Sequence, residues 1–328
     1  WTGKWNQEVL PIVQDHADYL VVHQYFTFAS DINTISVKEM IDALPIIEET
    51  KNTLEKHVKN HTSKPKGYFP IAMTEYNVRA GRKNSQQVSA VFNAMAIGEY
   101  IKHQYGLVNI WNIANSHNNG DDHGILTRND PNRSEYNPNP TFYAYYLTQL
   151  YFGDKMVQVT PANANGIHVY PTQFKGGDLG VLVVNASASQ QTIELDLGSF
   201  DAQGEIFSHH LTSSGAKSSE VFLNGISGGS NSGPLNYAEI EPFKTSFTKN
   251  PILSTEPYSV NTYMLKKKVP IVSVAKTLVQ NMPKGVVKVL PNQKKLTLKT
   301  KPSNIAFFNL NGDLLDIKWN YQKGFLYL

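Results

Sequence analysis

The stretch Phe69-Pro-Ile-Ala-Met-Thr-Glu-Tyr-Asn77 decides how this chain is interpreted. Apolar residues run as far as Met73 and then give way to Thr-Glu-Tyr-Asn, and a loop rich in Gly, Arg, Lys and Asn follows. A short apolar run that is bounded by turn signals is typical of a buried strand. The stretch therefore predicts a strand that delivers one carboxylate, that of Glu75, to its carboxyl end.

The composition is that of a soluble globular protein. Of the 328 residues, 41% are hydrophobic and 17% are charged, and the net charge of +3 is too small to indicate a nucleic-acid partner. No apolar run is long enough to span a bilayer. The absence of cysteine excludes disulfides, thiol catalysis and Cys-ligated metals. Phosphate-binding glycine loops, esterase elbows and zinc-protease motifs are also missing, and we predict no cofactor.

Strand and helix signals alternate over residues 1–153. The predicted strands are Asp18–Phe26, Phe69–Asn77 and Leu107–Ala114. The predicted helices are a Ser36-capped helix to about His61, kinked at Pro45, then Ser85–His103, and then Thr141–Phe152 behind Pro140. Strands that alternate with helices predict a parallel sheet with helical crossovers.

The pattern changes after residue 153. Over 154–266, short alternating strands are separated by Gly/Ser/Asn loops, and they end in the predicted closing strand Glu256–Leu265. This pattern predicts an antiparallel β-sandwich. Residues 267–285 are predicted to be a linker, and residues 286–328 a small β unit with five short strands, the first at Val286–Leu290.

Three strand ends carry polar and aromatic residues in a distinctive order. The first ends in His23-x-Tyr25, the second in Thr74-Glu-Tyr-Asn77 and the third in Trp111-Asn112, and a Pro-led helix then leads to the antiparallel segment. This order resembles the C-terminal half of a clan A glycoside hydrolase of the arabinofuranosidase or agarase/porphyranase kind. The resemblance implies an α/β fold: the C-terminal part of a (β/α)8 TIM barrel, about strands 6 to 8, followed by the β-sandwich and the small β unit.

The resemblance also implies roles for these residues. Glu75 would be the nucleophile at the end of the seventh barrel strand, and His23 or Tyr25 would approach the sugar from the sixth. In such enzymes the acid/base Glu usually follows an Asn at the end of strand four, and no Asn-Glu strand end precedes Tyr19. The acid/base is therefore expected outside this chain, and the N-terminal half of the barrel is expected as its partner.

Each candidate residue also has a structural interpretation. His23 and Tyr25 share one face of a strand, where they would reach a sugar, although His23 would serve equally as a core histidine. Asn77 would bind a substrate hydroxyl or cap the following loop. Trp111, beside Asn112, would be a platform for a sugar ring or a packing residue. We predict all five as substrate-binding.

The loop from Asn115 to Gly124 is rich in metal-ligand residue types: His117, Asp121, Asp122 and His123. Asp/Asn clusters favour calcium, but the spacing matches no EF-hand or zinc template. We therefore predict no metal, and a substrate-contacting loop that includes His117 and His123.

Two arginines follow this loop. Arg128 and Arg133 would meet sulfate or uronate groups of an anionic polysaccharide, or would be solvated loop residues.

The last segment carries a separate resemblance. Val289-Leu-Pro-Asn292 and the later Asn309-Leu-Asn-Gly312 turn resemble a Bacteroidetes type IX secretion sorting domain, although Leu290 and Gln293 depart from its usual pattern. This resemblance implies a bacterial protein that is secreted or held at the cell surface.

These observations favour a retaining glycoside hydrolase that acts on a polysaccharide or oligosaccharide. Two alternatives stay open: a non-catalytic glycan-binding protein, and a polysaccharide lyase that uses Tyr25 and His23. The sequence does not identify the sugar or the linkage.

Overall fold

The computed structural model describes residues 3–115, 117, 123–159, 166–228 and 233–268, together with five short strands between residues 295 and 327. The chain divides into two compact units, Trp1–Val269 and Pro270–Leu328. The predicted metal-ligand types Asp121 and Asp122 lie outside the described residues. None of the described helices combines the length and the apolarity that crossing a bilayer requires.

The first unit begins with strands and helices in alternation. Its parallel strands are β1 (Leu20–Tyr25), β2 (Ile71–Asn77) and β3 (Leu107–Ile110), with β2 in the middle. The helices are α1 (Gly3–Val13), α2 (Val37–Asp42), α3 (Ile46–His61), α4 (Gln87–Lys102) and α5 (Pro140–Tyr151).

Two helices differ from the sequence prediction. Helix α1 was not predicted, and Pro11 within it weakens its sequence signal. The single helix predicted from Ser36 to His61 is two helices, because the chain breaks at Ala43–Pro45 and α3 begins after Pro45. Ser36 caps α2 with a capping box to Glu39, as predicted.

The pairing of β1 with β2 contains an irregularity at the candidate site. Val22 is paired with Met73, whereas His23 is paired with Glu75, so Thr74 has no partner on β1. An extra residue of this kind bends a strand and re-aims the next side chain. The irregularity places Glu75 opposite His23, with Asn77 opposite Tyr25.

The rest of the first unit is antiparallel. Strand β12 (Ser259–Lys267) and strand β6 (Leu179–Asn185) lie at the centre of a seven-stranded sheet. The other strands of this sheet are β4 (Lys155–Met156), β5 (Ile167–Gln173), β8 (Ala202–Thr212), β9 (Phe222–Leu223) and β10 (Phe243–Ser246). Strands β7 (Gln191–Glu194) and β11 (Ile252–Thr255) form a separate two-stranded sheet.

One hydrophobic core connects the helices to the antiparallel sheet. Leu182 and Val184 of β6 belong to the cluster that α4 and α5 also fill, whereas Val181 and Val183 pack with Leu253 of β11. Strand β6 is therefore buried on both faces. Residues 1–153 and 154–266 differ in architecture but share this packing within a single compact unit.

A partly buried carboxylate, that of Glu99, links α4 to this sheet. Gly98 of α4 lies so close to Tyr170 of β5 that an added Cβ atom would come within 2.5 Å of the ring. The Tyr170 hydroxyl donates to Glu99 Oε1 at 2.9 Å, and His103 Nε2 and Lys102 Nζ lie 3.1 and 2.9 Å from Glu99 Oε2. Burial raises the pKa of Glu99, but the hydrogen bonds and positive charge around it prevail, and its pKa lies below the ordinary value of 4.5.

We expect Glu99→Gln to lower the free energy of unfolding by about 1–2 kcal/mol at pH 7. Because the folded-state pKa of Glu99 is depressed, its stabilisation is present above pH 4.5 and is lost as the pH falls through the folded-state pKa. Urea unfolding of the parent and the variant would test this between about pH 3, which is about 1.5 pH units below the reference pKa of a glutamate, and pH 7. The more exposed Glu48, changed to Gln, is the control and is expected to have little effect. A difference in unfolding free energy between the parent and Glu99→Gln that stays constant down to about pH 3 would contradict this role.

The second unit is described by five strands. These are β13 (Lys295–Thr297), β14 (Phe307–Phe308), β15 (Leu314–Leu315), β16 (Asn320–Gln322) and β17 (Phe325–Tyr327). Strand β17 pairs with β13 and β16, and β14 pairs with β15, all antiparallel. The predicted strand Val286–Leu290 and most of the segment that resembles a sorting domain lie outside the described residues, so that resemblance stays a prediction.

Candidate active site

Glu75 lies at the carboxyl end of the central parallel strand, β2. Its side chain is 27% exposed, and its described hydrogen-bond and ion-pair partners both come from β1. The Tyr25 hydroxyl donates to Glu75 Oε2 at 3.1 Å, and His23 Nδ1 lies 3.6 Å from the same oxygen. The structure thus brings together the three residues that the sequence placed at neighbouring strand ends.

The hydroxyl of Tyr25 stays protonated under ordinary conditions. Partial burial, then the hydrogen bond to Glu75 and the charge of that carboxylate, raise the pKa of Tyr25 to about 12. A protonated phenol donates to a carboxylate and accepts protons poorly. Tyr25 is therefore suited to holding Glu75 Oε2 in place.

Asn77 holds the strand ends together. It is 2% exposed, and its Nδ2 donates to Trp111 O at 2.6 Å and to His123 O at 3.1 Å. Its Oδ1 accepts from the backbone N–H of Val78 at 2.8 Å. The bond from Val78 agrees with the loop-capping alternative for Asn77, and contact of this side chain with a sugar stays a prediction.

Trp111 and Asn112 follow β3 at the same edge of the sheet. Trp111 is 40% exposed, its backbone N–H donates to Tyr76 O at 2.9 Å, and the peptide bond to Asn112 is cis. The exposed indole is available as a platform for a sugar ring. Asn112 Oδ1 is buried and has no hydrogen-bond partner among the described residues.

The two histidines of the following loop lie in different places. The His123 ring makes an edge contact with Tyr25 at 5.8 Å between centroids, and its Nε2 lies 3.1 Å from Val78 O. His117 lies instead beside Asp130, with 4.0 Å between His117 Nδ1 and Asp130 Oδ2. Only His123 thus reaches the surroundings of Glu75. In the described part of the chain, no group of three or more His, Cys, Asp or Glu side chains is arranged to hold a metal.

Of the two arginines that were expected either to meet anionic groups or to be solvated, Arg133 is buried in an ion pair. The Arg133 side chain is 7% exposed, its Nε donates to Asp130 Oδ2 at 2.8 Å, and its Nη1 donates to Asn139 Oδ1 at 2.6 Å. Burial raises the pKa of Asp130, but hydrogen bonds from the Asn132 backbone and from Arg133 lower it more. Arg133 therefore braces its own loop, whereas Arg128 is exposed.

Two residues near Glu75 were not singled out from the sequence. Phe28 is 73% exposed and lines a groove of about 570 Å³ with His23 and Tyr25. Arg79 is close enough for its charge to act on Tyr25, and its backbone is tied to the Thr27 hydroxyl by two bonds of 2.8 Å. No periodic signal marked Phe28, because residues two apart in an extended segment share a face, and Phe26 is buried whereas Phe28 is exposed.

The fold is similar to that of several glycoside hydrolases of known structure. The arabinose complex of the α-L-arabinofuranosidase from Thermotoga maritima matches 81% of this chain with a TM-score of 0.58 and 14% identity. The bifunctional glucanase-xylanase CelM2, from a metagenome library, matches 82% with a TM-score of 0.56 and 16% identity. A family 44 xyloglucanase from Paenibacillus polymyxa matches 81% with a TM-score of 0.56 and 13% identity.

This chain spans about half the length of those proteins: 56%, 48% and 50%, respectively. No protein-family model and no curated protein sequence matches it. The likeness is thus one of fold, and it is to glycoside hydrolases of families 51 and 44. Arabinofuranosidases are among them, in agreement with the resemblance of the strand-end motifs, whereas a likeness to agarases or porphyranases stays a prediction.

Proposed function

We propose that this chain is the C-terminal part of a retaining glycoside hydrolase that acts on a polysaccharide, with Glu75 as the nucleophile. The observation that carries the proposal is the set of contacts at Glu75, a partly buried carboxylate held by Tyr25 beside His23. The fold shared with glycoside hydrolases supports it. So does the position of Glu75, because catalytic groups of α/β barrels lie at the carboxyl ends of strands.

The two carboxylate oxygens of Glu75 would have different tasks. Tyr25 and His23 both approach Glu75 Oε2, and no described residue pairs with Oε1. Oε1 would attack the anomeric carbon as the bond to the leaving oxygen breaks, giving a covalent glycosyl-enzyme. An acid/base carboxyl about 5–5.5 Å away would protonate that leaving oxygen and then activate the water that releases the sugar.

That second carboxyl group is proposed to come from the remainder of a barrel. Strands β1 and β3 are the outer strands of the described three-stranded sheet, and each has one edge without a partner strand. In the parallel sheet, each strand lies next to the one before it, in the order β1, β2, β3. If the same right-handed crossover continues upstream through α1, a preceding strand would pair with the free edge of β1. The groove of about 570 Å³ lies there, lined by β1, by α3 and by Asn6 of α1.

The two alternative functions make different demands on these residues. A lyase would need Tyr25 or His23 as a base, and the raised pKa of Tyr25 makes its hydroxyl a poor one at neutral pH. A glycan-binding protein would need the cleft but no second carboxyl group near Glu75. The retaining hydrolase is preferred because the Tyr25 hydroxyl donates a hydrogen bond to the Glu75 carboxylate and so supports Glu75 as the reacting group.

We also propose that the substrate is encountered outside the cell, because polysaccharides are too large to enter intact. The structural neighbours act on arabinofuranosides, glucans, xylans and xyloglucan according to their names. We take these glycans as a panel of test substrates, and we add agarose and porphyran because of the sequence resemblance.

The test uses the complete protein that contains this chain. We expect it to hydrolyse at least one glycan of the panel, and the first sugar released, followed by proton NMR, to keep the anomeric configuration of the substrate. An inverted first product would contradict the assignment of Glu75 as nucleophile. An unsaturated product would show a lyase, and binding of glycans without any cleavage would show a binding protein.

A further inference from the structure

A second concave site is lined by none of the residues that contact Glu75. It is a cleft of about 280 Å³ between the loop after β2, the loop after β3 and the segment between β8 and β9. We call it the loop cleft. Its polar lining includes two side chains from each segment: Arg82 and Gln86, His117 and Asn132, Ser219 and Glu220.

Several of these side chains have no hydrogen-bond or ion-pair partner among the described residues. Among the described residues, no hydrogen bond or ion pair involves the side chains of Arg82, Gln86, Asn132 or Ser219. They come from parts of the chain that are far apart in sequence, yet they line one cleft. Polar side chains that line one cleft without hydrogen-bonding to one another are available to bind a ligand.

The frame that presents them is fixed by hydrogen bonds. The backbone N–H of Gln87 donates to Ser218 O at 2.8 Å, and that of Val88 donates to Ala216 O at 2.9 Å. Asn84 Nδ2 donates to Val78 O at 2.9 Å, which anchors the loop of Arg82 to the end of β2. The loop after β3 is braced by Arg133. A site held in this way loses little conformational entropy when it binds.

The charge of the loop cleft is balanced. Arg133 and Asp130 neutralise each other in an ion pair of 2.8 Å, which leaves the positive charge of Arg82 and the negative charge of Glu220. An anionic group would be attracted by Arg82 but repelled by Glu220. Donors and acceptors present together, without an excess of either charge, suit hydroxyl groups, which both donate and accept.

We propose that the loop cleft is a secondary binding site for a neutral sugar residue of the polysaccharide, bound through its hydroxyl groups. The proposal rests on the proposed function for the choice of ligand. Arg82, Gln86, Asn132 and Ser219 would supply donors and Glu220 an acceptor. The described residues that line the cleft include no aromatic ring on which a sugar would stack, so this binding is expected to be weak and dominated by hydrogen bonds.

The test measures binding without turnover in the Glu75→Gln protein. Neutral probes are arabino-, xylo- and xyloglucan oligosaccharides, and an oligogalacturonate is the anionic probe. We expect a neutral probe to shift the amide signals of Gln86 and Ser219 in NMR titrations. Adding Arg82→Met is expected to weaken that binding about tenfold. Adding Lys83→Met, a change one residue away that does not line the cleft, is expected to alter it less than about twofold.

The proposal is overturned if no neutral probe shifts these amides, if Arg82→Met leaves the affinity unchanged, or if only the oligogalacturonate binds. Because Arg82 is exposed, its replacement is not expected to unfold the protein, and an unchanged unfolding midpoint would verify this. The outcome is separable from that of the proposed function. If a probe shifts these amide signals but the parent protein cleaves no glycan, only the proposed hydrolase function is rejected. If the parent cleaves a glycan in a Glu75-dependent way but no probe shifts these amide signals, only the secondary site is rejected.

Discussion

Replacing Glu75 with glutamine is expected to reduce turnover by about 10⁴-fold or more in the complete protein, on whichever glycan the parent cleaves. The amide keeps the size of the side chain and can still accept the hydrogen bond from Tyr25, which spans 3.1 Å in the parent. It cannot supply the negatively charged oxygen that attacks the anomeric carbon. The loss should appear in kcat, while glycan binding persists.

Two further variants separate a nucleophile from a merely nearby carboxylate. Glu241→Gln makes the same chemical change at an exposed position of the first unit and should leave turnover within about twofold. Tyr25→Phe removes only the hydroxyl that contacts Glu75 and should cost roughly 10- to 100-fold, as expected for a hydrogen bond to a charged group. Turnover by the Glu75→Gln protein near that of the parent on every glycan would refute the assignment.

Rescue with azide would identify the step that is lost. In a Glu75→Gly protein, azide can occupy the space of the carboxylate and attack an activated aryl glycoside in a single displacement. A single displacement inverts the anomeric centre, so we expect a glycosyl azide of inverted configuration. An azide product of retained configuration would indicate that Glu75 is the acid/base and that the nucleophile lies elsewhere.

Gly180→Ala is expected to lower the free energy of unfolding by about 3 kcal/mol, the largest effect on stability that we predict. Gly180 lies in β6 where the end of α5 crosses it, and an added Cβ atom would come within 1.8 Å of Tyr151 O and 3.0 Å of the Phe174 ring. The backbone oxygen cannot move aside as a flexible side chain would, so α5 or β6 must shift. Urea unfolding monitored by circular dichroism would measure the change.

Gly176 provides a matched control in the turn that precedes β6. A Cβ atom there would meet no atom within 4 Å, so Gly176→Ala should change the unfolding free energy by no more than about 0.5 kcal/mol. Equal effects of the two substitutions would contradict the close approach of α5 to β6. They would also weaken the conclusion that the parallel and antiparallel parts share one core.

The grouping of His23, Tyr25 and Glu75 was open to prediction because each signal is local. An apolar strand that ends in polar residues is visible within about ten residues, and parallel strands place their carboxyl ends at one edge. The positions of β1, β2 and α4 followed from their apolar patterns, and that of α5 followed from Pro140 at its start. Helix α1 was missed because Pro11 interrupts a short pattern, and the break at Pro45 was predicted as a kink within one helix.

The roles of the loop residues depended on partners that are far away in sequence. Asn77 bonds to carbonyls at Trp111 and His123, 34 and 46 residues further on, and nothing near Asn77 indicates this. Arg133 looks like a free cation in the sequence, but it lies buried against Asp130 and Asn139. The common core of residues 1–153 and 154–266 could not be predicted either, because both faces of β6 are apolar and neither face indicates its partner.

The sequence by itself determined the type of the elements that carry a clear apolar pattern, such as β1, β2 and α4, and the placement of one carboxylate, Glu75, at a strand end. Both depend on hydrophobic periodicity over a few residues. The tertiary structure decided which oxygen of Glu75 is held, through the unpaired Thr74 and the reach of Tyr25. It also separated His117 from His123 and assembled the loop cleft from three distant segments. These features depend on register and on long-range hydrogen bonds, which only the folded chain defines.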